Sequence, residues 1–165
     1  MWPTTRVKRW PPSLSSKGKV GVLEDRVNLW SASADAIVIT TNGFVKRNGE
    51  AVMGRGCALE AAKKWPNLPK LLGEAILMNG NHVYGFRLGT VYLLLTFPVK
   101  HAWYEKADIV LIVRSAYELV EYVDAWAFQK IVMPRPGCGN GGLNWNVVRD
   151  AIEPIFDDRF TVVTL

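Results

Sequence analysis

An α/β sandwich on a mixed sheet is the fold this sequence predicts, and three observations carry it. Short β-branched runs alternate with segments of helical periodicity. His82 to Phe97 reads as a hairpin, which puts an antiparallel pair into a sheet otherwise joined through helices. The 165 residues are enough for one buried core and too few for two. Hydrophobic residues at 49% and charged residues at 21% sit near the globular average, which excludes wholesale disorder. No apolar run approaches the roughly 18 residues of a membrane span. The first twenty residues contain Pro3, Pro11 and Pro12 and lack the apolar core of a secretory signal. The expectation is a soluble, cytoplasmic, monomeric domain with no membrane contact.

The elements follow in order. Lys19 to Leu23 alternates weakly and can start a strand. Ala36 to Thr40 is a β-branched run that reads as a buried strand, closed by the loop signal Thr41-Asn42-Gly43. Arg55 to Trp65 reads as a helix with Ala58, Ala61 and Ala62 on one face, stopped by Pro66 and Pro69. The hairpin is expected as Val83 to Phe86, a turn near Arg87 to Gly89, and Val91 to Phe97. Asp108 to Val123 is ambiguous, because Ile109 to Val113 alone would suit a strand. The stripe Ile109, Ile112, Val113, Ala116, Val120 and Val123 runs for over four turns, so its length favours a helix. Lys130 to Pro134 is a further buried strand. Asn144 is placed to cap a helix that turns Trp145, Val148, Ile152 and Ile155 inward, and Phe160 to Leu165 closes the chain as a strand.

Charge is unevenly placed. Arg6, Lys8, Arg9, Lys17 and Lys19 lie in the first nineteen residues with no acid among them, and they account for the whole net charge of +5. Residues 1–18 are therefore expected as a flexible basic arm ahead of a domain over 19–165 that is neutral beyond Lys19, with at most a weak nucleic-acid contact through the arm. Cys57 and Cys138 lie between glycines, without CxxC spacing, and His82 and His101 show no ligand spacing, so neither a metal site nor a disulfide is expected. A Cys–His nucleophile pair is formally open; a small filler role for each thiol is the plainer reading.

Two glycine-rich loops each lie after a strand and ahead of a helix: Val52-Met53-Gly54-Arg55-Gly56-Cys57-Ala58, and Pro136-Gly137-Cys138-Gly139-Asn140-Gly141-Gly142-Leu143-Asn144-Trp145. Glycine lets a backbone approach another group closely, and a helix N-terminus offers free N–H groups. Facing each other at neighbouring strand ends, such loops grip both halves of a diphosphate. Neither fits the P-loop or the G-x-G-x-x-G pattern, and plain tight turns remain the alternative.

Taken together, Asp35 to Asn42, Met53 to Leu59, Met133 to Trp145 and the closing Thr161 to Leu165 resemble a macro domain over roughly residues 19–165. The nearest branch is that of the terminal ADP-ribose protein glycohydrolase and the antitoxin glycohydrolases that strip ADP-ribose from DNA. The resemblance implies a three-layer α/β/α sandwich with a central mixed sheet, binding ADP-ribose or an ADP-ribosylated macromolecule at the sheet's C-terminal edge, with no cofactor. By position, Asn28-Leu29 falls on the family's adenine-contacting pair, with Asn28 in place of an acid. Asn42 falls on the asparagine at the distal ribose. Met53, Gly54, Gly56 and Cys57, with Pro136, Gly137, Cys138, Gly139, Asn140, Gly141 and Gly142, would wrap the diphosphate and distal ribose. For Asn28 and Asn42 the plainer alternative is a turn residue.

Thr96 to Trp103 resembles the Phe-Pro-Thr-Lys-Arg-His-Trp stretch of the DNA-directed antitoxins, which puts Lys100 on the branch's catalytic lysine. In that mechanism the amine attacks the anomeric carbon of the distal ribose. It must be deprotonated, which calls for partial burial or a neighbouring cation such as His101 or Arg135. The alternative is a solvated loop lysine. The protein-directed glycohydrolase has an aspartate where this chain has Gly141, so glutamate-linked substrates are expected to be poor. Trp103 and Trp145 suit either the core or a stacked base. The function implied is ADP-ribosyl hydrolysis from DNA or protein; a non-catalytic ADP-ribose reader and an ADP-ribose 1″-phosphate phosphatase stay open beside it.

Overall fold

The structure, a computed structural model, describes residues 21–89 and 92–164. The expected basic arm, Lys19, the first residue of the expected second hairpin strand (Val91) and Leu165 lie outside them. Six strands, β1 (Leu23–Asp25), β2 (Ala36–Asn42), β3 (Gly85–Leu88), β4 (Tyr92–Lys100), β5 (Ile131–Pro134) and β6 (Phe160–Val163), form one sheet in the order β1-β6-β5-β2-β4-β3. Every pairing is parallel except β3 with β4, so the hairpin is what makes the sheet mixed. Four helices, α1 (Gly56–Lys64), α2 (Leu68–Asn79), α3 (Ile109–Ala125) and α4 (Trp145–Ile152), cover its two faces.

The central strands are buried on both sides, which is why they read as continuous apolar runs. Val38, Phe97, Ile131 and Met133 pack with Ile112 and Leu119 of α3 and Val148 and Ile152 of α4. Ile37, Ile39, Leu94 and Val132 face the opposite core, with Ala58 and Ala61 of α1 and Leu68, Leu72 and Ala75 of α2. The stripe over 109–123 forms a helix, as its length predicts. Asp108 caps it, its carboxylate accepting from Val110 N, and Asn144 caps α4 by accepting from Asn146 N.

Three expectations need correction. Pro69 does not end helical structure: it sits in the first turn of α2, where its missing N–H has no partner to lose. The β3 ladder begins at Gly85, not Val83, because the Glu118 carboxylate takes the Val83 N–H and Thr96 Oγ1 takes the Tyr84 N–H. Arg87 and Leu88 consequently extend the strand, and the turn follows them. At the start of the domain, Leu23 opens a short exposed edge strand instead of ending one.

Helix α2 anchors the segment that leads into the first glycine loop. Ala51 N donates to Pro69 O at 2.8 Å, and Gly73 is buried directly against this backbone. A Cβ at Gly73 would collide with the Gly49 carbonyl and lie 2.9 Å from Ala51 N. Alanine ordinarily improves a helix interior by about 1 kcal/mol over glycine. Here the sign reverses: Gly73→Ala is expected to destabilise by roughly 1–3 kcal/mol, read as a lowered urea midpoint. A raised midpoint would show that the loop does not rest on α2.

Candidate functional site

Strands β2 and β5 are neighbours, and the chain leaves them in opposite directions across the sheet, β2 toward the β3–β4 hairpin and β5 toward β6. Such a reversal opens a crevice at the C-terminal strand ends. Both glycine loops start there, and between them lies a cavity of about 330 Å³.

Asn42 ends β2 and shapes the first loop. Its Nδ2 donates to Val52 O at 3.0 Å and its Oδ1 accepts from Phe44 N at 2.9 Å. In the β2–β4 pairing Thr41 faces Pro98 but Asn42 faces Lys100, so the register skips Val99. A bulge of this kind re-aims a side chain, and Val99 and Lys100 both line the cavity. The Lys100 backbone is held in place: Asn81 Nδ2 donates to its carbonyl at 3.0 Å, and Gly43 N donates to the next carbonyl, His101 O, at 3.2 Å. Asn81 reaches that position only because residue 43 is glycine; a Cβ there would lie 2.7 Å from Asn81 Cγ. Lys100 Nζ lies 3.4 Å from Trp103 O.

The second loop is tightly wound. Gly137 has φ +76°, and a Cβ on it would lie 2.8 Å from Ile112 Cδ1. At Gly141 a Cβ would meet the Gly137 carbonyl and lie 2.8 Å from Ala107 Cβ, so no side chain fits there. Leu143 N donates to Gly137 O and Ala107 N to Gly141 O. Among the described residues, the N–H groups of Gly54 and Gly56 on one wall, and of Gly139, Asn140 and Gly141 on the other, make no hydrogen bond within the chain. The N-terminus of α1 adds its dipole. Among the described residues, Arg55, Lys100 and Arg135 line the cavity and no carboxylate does. Free amides, a helix N-terminus and three cations together suit an anion.

Of the residues singled out in the sequence, Asn42, Met53, Gly54, Gly56, Cys57, Lys100, Gly137, Gly139, Asn140 and Gly141 line this cavity. Pro136, Cys138 and Gly142 belong to the loop but not to its lining. Asn28 and Leu29 stand apart from it: Asn28 Oδ1 accepts from Trp30 N and caps a 3-10 turn, and Leu29 is buried in the core. Both follow β1, and Asp25 at the end of β1 lines a second, open depression of about 580 Å³ with Glu24, Arg26, Arg135, Val162 and Thr164. Arg135 belongs to both hollows. The sequence motifs contained Thr40, Arg55 and Val99 without singling them out as lining residues. Trp103 is half-exposed at the cavity, not core, whereas Trp145 packs at the core's edge, under the Arg135 guanidinium and with Nε1 donating to Glu24.

The remaining groups have settled partners. Cys57 Sγ lies 3.4 Å from Thr40 N and Oγ1, and burial pushes its thiol up. Burial likewise raises Cys138, against the opposing charge of Arg135. The histidines face carboxylates, His82 pairing with Glu118 and His101 with Asp108, each at 2.8 Å, so no Cys–His pair is assembled. Arg135 contacts Glu24 at 3.7 Å. No group of His, Cys, Asp and Glu among the described residues is arranged to hold a metal, and no helix among them is long and apolar enough to cross a membrane.

Solved structures share this architecture. The chain superposes on the macrodomain of Mycobacterium tuberculosis DarG with a TM-score of 0.73 at 21% identity, and on that of Thermus aquaticus DarG with the same score at 24%; each superposition covers 87% of this chain and 97% of the other. A Thermosipho africanus DarTG chain, solved in complex with ADP-ribose, gives 0.74 at 18% identity over 87% of this chain and 41% of that one. In sequence, the chain is 26% identical over 136 residues to the DNA ADP-ribosyl glycohydrolase of Mycobacterium tuberculosis and 25% over 134 residues to that of Thermus aquaticus. These alignments cover 78% of this chain and 37% and 36% of those proteins, so the chain spans little more than a third of the relatives' length. No protein-family model matches it. The fold is that of a macro domain. Within that class, the sequence likeness lies with the branch of the DNA ADP-ribosyl glycohydrolases.

The turn that follows Lys100 is pinned by Asp108, whose two oxygens accept from Val110 N and engage His101 Nε2. The His101 hydrogen bond holds this carboxyl below its usual value; burial opposes it to a lesser extent, and smaller contributions from the α3 backbone N–H groups add to the lowering. A carboxyl lowered in the folded state stabilises above its unfolded pKa, and that stability is lost as pH falls through the folded value. Asp108→Ala is therefore expected to cost about 1 kcal/mol at neutral pH, with the gap to wild type closing on acidification below the ordinary carboxylate range. A gap independent of pH in urea unfolding would contradict this role.

Proposed function

We propose that this macro domain binds ADP-ribose across the two glycine loops and removes it from a modified macromolecule, DNA in the first instance, using Lys100 as nucleophile. One observation carries the reading. Among the described residues, the cavity that gathers the free amides of both loops is lined by no carboxylate and no imidazole to activate water, and its one thiol is held protonated by burial. Lys100, brought in by the bulge, is the group there suited to attack. The loops would hold the diphosphate and distal ribose, and the hollow beside Asp25 and Thr164 would take the adenosine, with Arg135 between them. The names of the relatives and the ADP-ribose bound in the Thermosipho africanus chain support the same reading.

The chemistry balances with one water. Nζ gives its lone pair to the anomeric carbon of the distal ribose and releases a proton. The bond from that carbon to the modified group breaks, its electron pair staying with the departing group, which takes up a proton. Water then adds to the carbon of the lysine adduct, the C–N bond breaks, and free ADP-ribose and the amine are restored. A carboxylate at position 141, as in the protein-directed branch, has no room in this loop. That favours DNA over glutamate-linked protein.

Two variants test the reading. Lys100→Ala is expected to lower release of ADP-ribose from thymidine-modified single-stranded DNA by several orders of magnitude while ADP-ribose affinity persists. Unchanged release would refute the nucleophile, and release of phosphate from ADP-ribose 1″-phosphate would point to a phosphatase. A Cβ at Gly139 meets nothing within 4 Å, so Gly139→Glu should fold normally. Its charge beside the diphosphate is expected to weaken ADP-ribose binding by more than about tenfold. Normal affinity in calorimetry would sink the two-loop site.

A further inference from the structure

We infer that Phe44, Trp103 and Tyr104 form a shelf that stacks the bases of a single-stranded nucleic acid as its modified nucleotide enters the cavity. The inference rests on Lys100 acting at the distal ribose, because that places the attached group at the end of the cavity lined by Lys100 and Trp103. Trp103 is 53% exposed, Tyr104 66% and Phe44 37%, a large aromatic area to leave in water unless something covers it. The rings touch one another: Trp103 and Tyr104 lie 5.4 Å apart at 88°, Phe44 and Tyr104 6.3 Å apart at 71°. Edge-on contacts of this kind keep ring faces from being sandwiched against each other.

Their backbones are fixed. Phe44 N is bound by Asn42 Oδ1, and Gly43 N ties that segment to His101 O. The turn carrying Trp103 and Tyr104 is held by Glu105 N donating to Ala102 O, by burial of Ala102, and by the His101–Asp108 pair. The rings therefore sit on a preorganised platform contiguous with the cavity, because Trp103 belongs to both.

Flat aromatic faces suit bases, which stack without regard to sequence, better than they suit an aliphatic side chain. The surrounding charge fits the same partner. Arg55 and Lys100 line the cavity, and Lys106 lies over the second loop, its Cε 3.6 Å from where a Gly142 Cβ would be. None of the three forms an ion pair among the described residues. Backbone phosphates flanking the modified nucleotide would meet these cations.

The test compares three substrates on the full chain: an ADP-ribosylated mononucleotide, the same nucleotide within a short single strand, and an ADP-ribosylated peptide. The variants are Phe44→Leu, Tyr104→Leu and Tyr104→Phe, at positions outside the cavity lining. Wild type is expected to show a lower KM for the strand than for the mononucleotide. The leucine variants should raise the strand KM about tenfold, as the loss of one base stack implies, with kcat and ADP-ribose affinity held; Tyr104→Phe should behave as wild type. Equal KM for strand and mononucleotide, an equal rise on the peptide, or a parallel loss of ADP-ribose affinity would each overturn the shelf. If wild type releases ADP-ribose from nothing, the hydrolase reading fails on its own. Titration with the unmodified strand then decides the shelf: tenfold weaker binding by the leucine variants supports it, and equal or absent binding overturns it.

Discussion

The register skip between β2 and β4 is the constraint on which the site depends. In an unbroken parallel ladder Val99 would face Asn42. With Val99 skipped, Lys100 arrives opposite Asn42 at the strand end, and both line one cavity. Pro98, beside the skip, has no N–H to give a ladder, and its carbonyl instead accepts from Ser115 Oγ of α3 at 2.7 Å. Val99 O accepts from Asp108 N at the cap of the same helix. The distortion is thus held by α3 from beneath, by Asn81 at the Lys100 carbonyl and by Gly43 at the next one. A reactive amine needs this kind of support, since a small displacement of the attacking atom costs rate steeply.

The two glycine loops are built differently for the same end. The first is held from outside, by Asn42 and by the backbone of α2 at Pro69 and Gly73. The second is held by its own compactness: Gly137 and Gly141 touch each other, Ala107 and Ile112 closely enough that neither tolerates a Cβ. In both cases amides of cavity-lining residues are left without partners among the described residues, which is costly unless a ligand or water supplies acceptors. Gly139 differs from its neighbours in having open space around it, so glycine there serves the ligand's approach and not the loop's packing.

Much of this was legible in the sequence wherever the signal was local. The β-branched run of β2, the long stripe of α3 and the asparagine cap of α4 all declare themselves within a few residues. The glycine loops did so as well, and sheet order then brought them face to face. What stayed hidden depended on distant partners. Glu118 and Thr96 decide where β3 begins, and nothing near Val83 announces them. Pro69 looked like a breaker because its role at a helix start depends on the residues after it. Trp103 had two readings until the fixed turn after β4 put it in the cavity wall. Asn28 and Leu29, placed by resemblance, do not line the first hollow, and only the position of β1 at the sheet edge makes that plain.

The most direct test of the account is to map backbone amide shifts in a nitrogen-15-labelled chain as ADP-ribose is added. The largest changes are predicted at Gly54, Gly56, Gly139, Asn140 and Gly141, whose N–H groups lack partners among the described residues, with smaller ones near Lys100 and Thr164. Binding that leaves either glycine loop unmoved, or shifts centred on the opposite edge of the sheet, would contradict it.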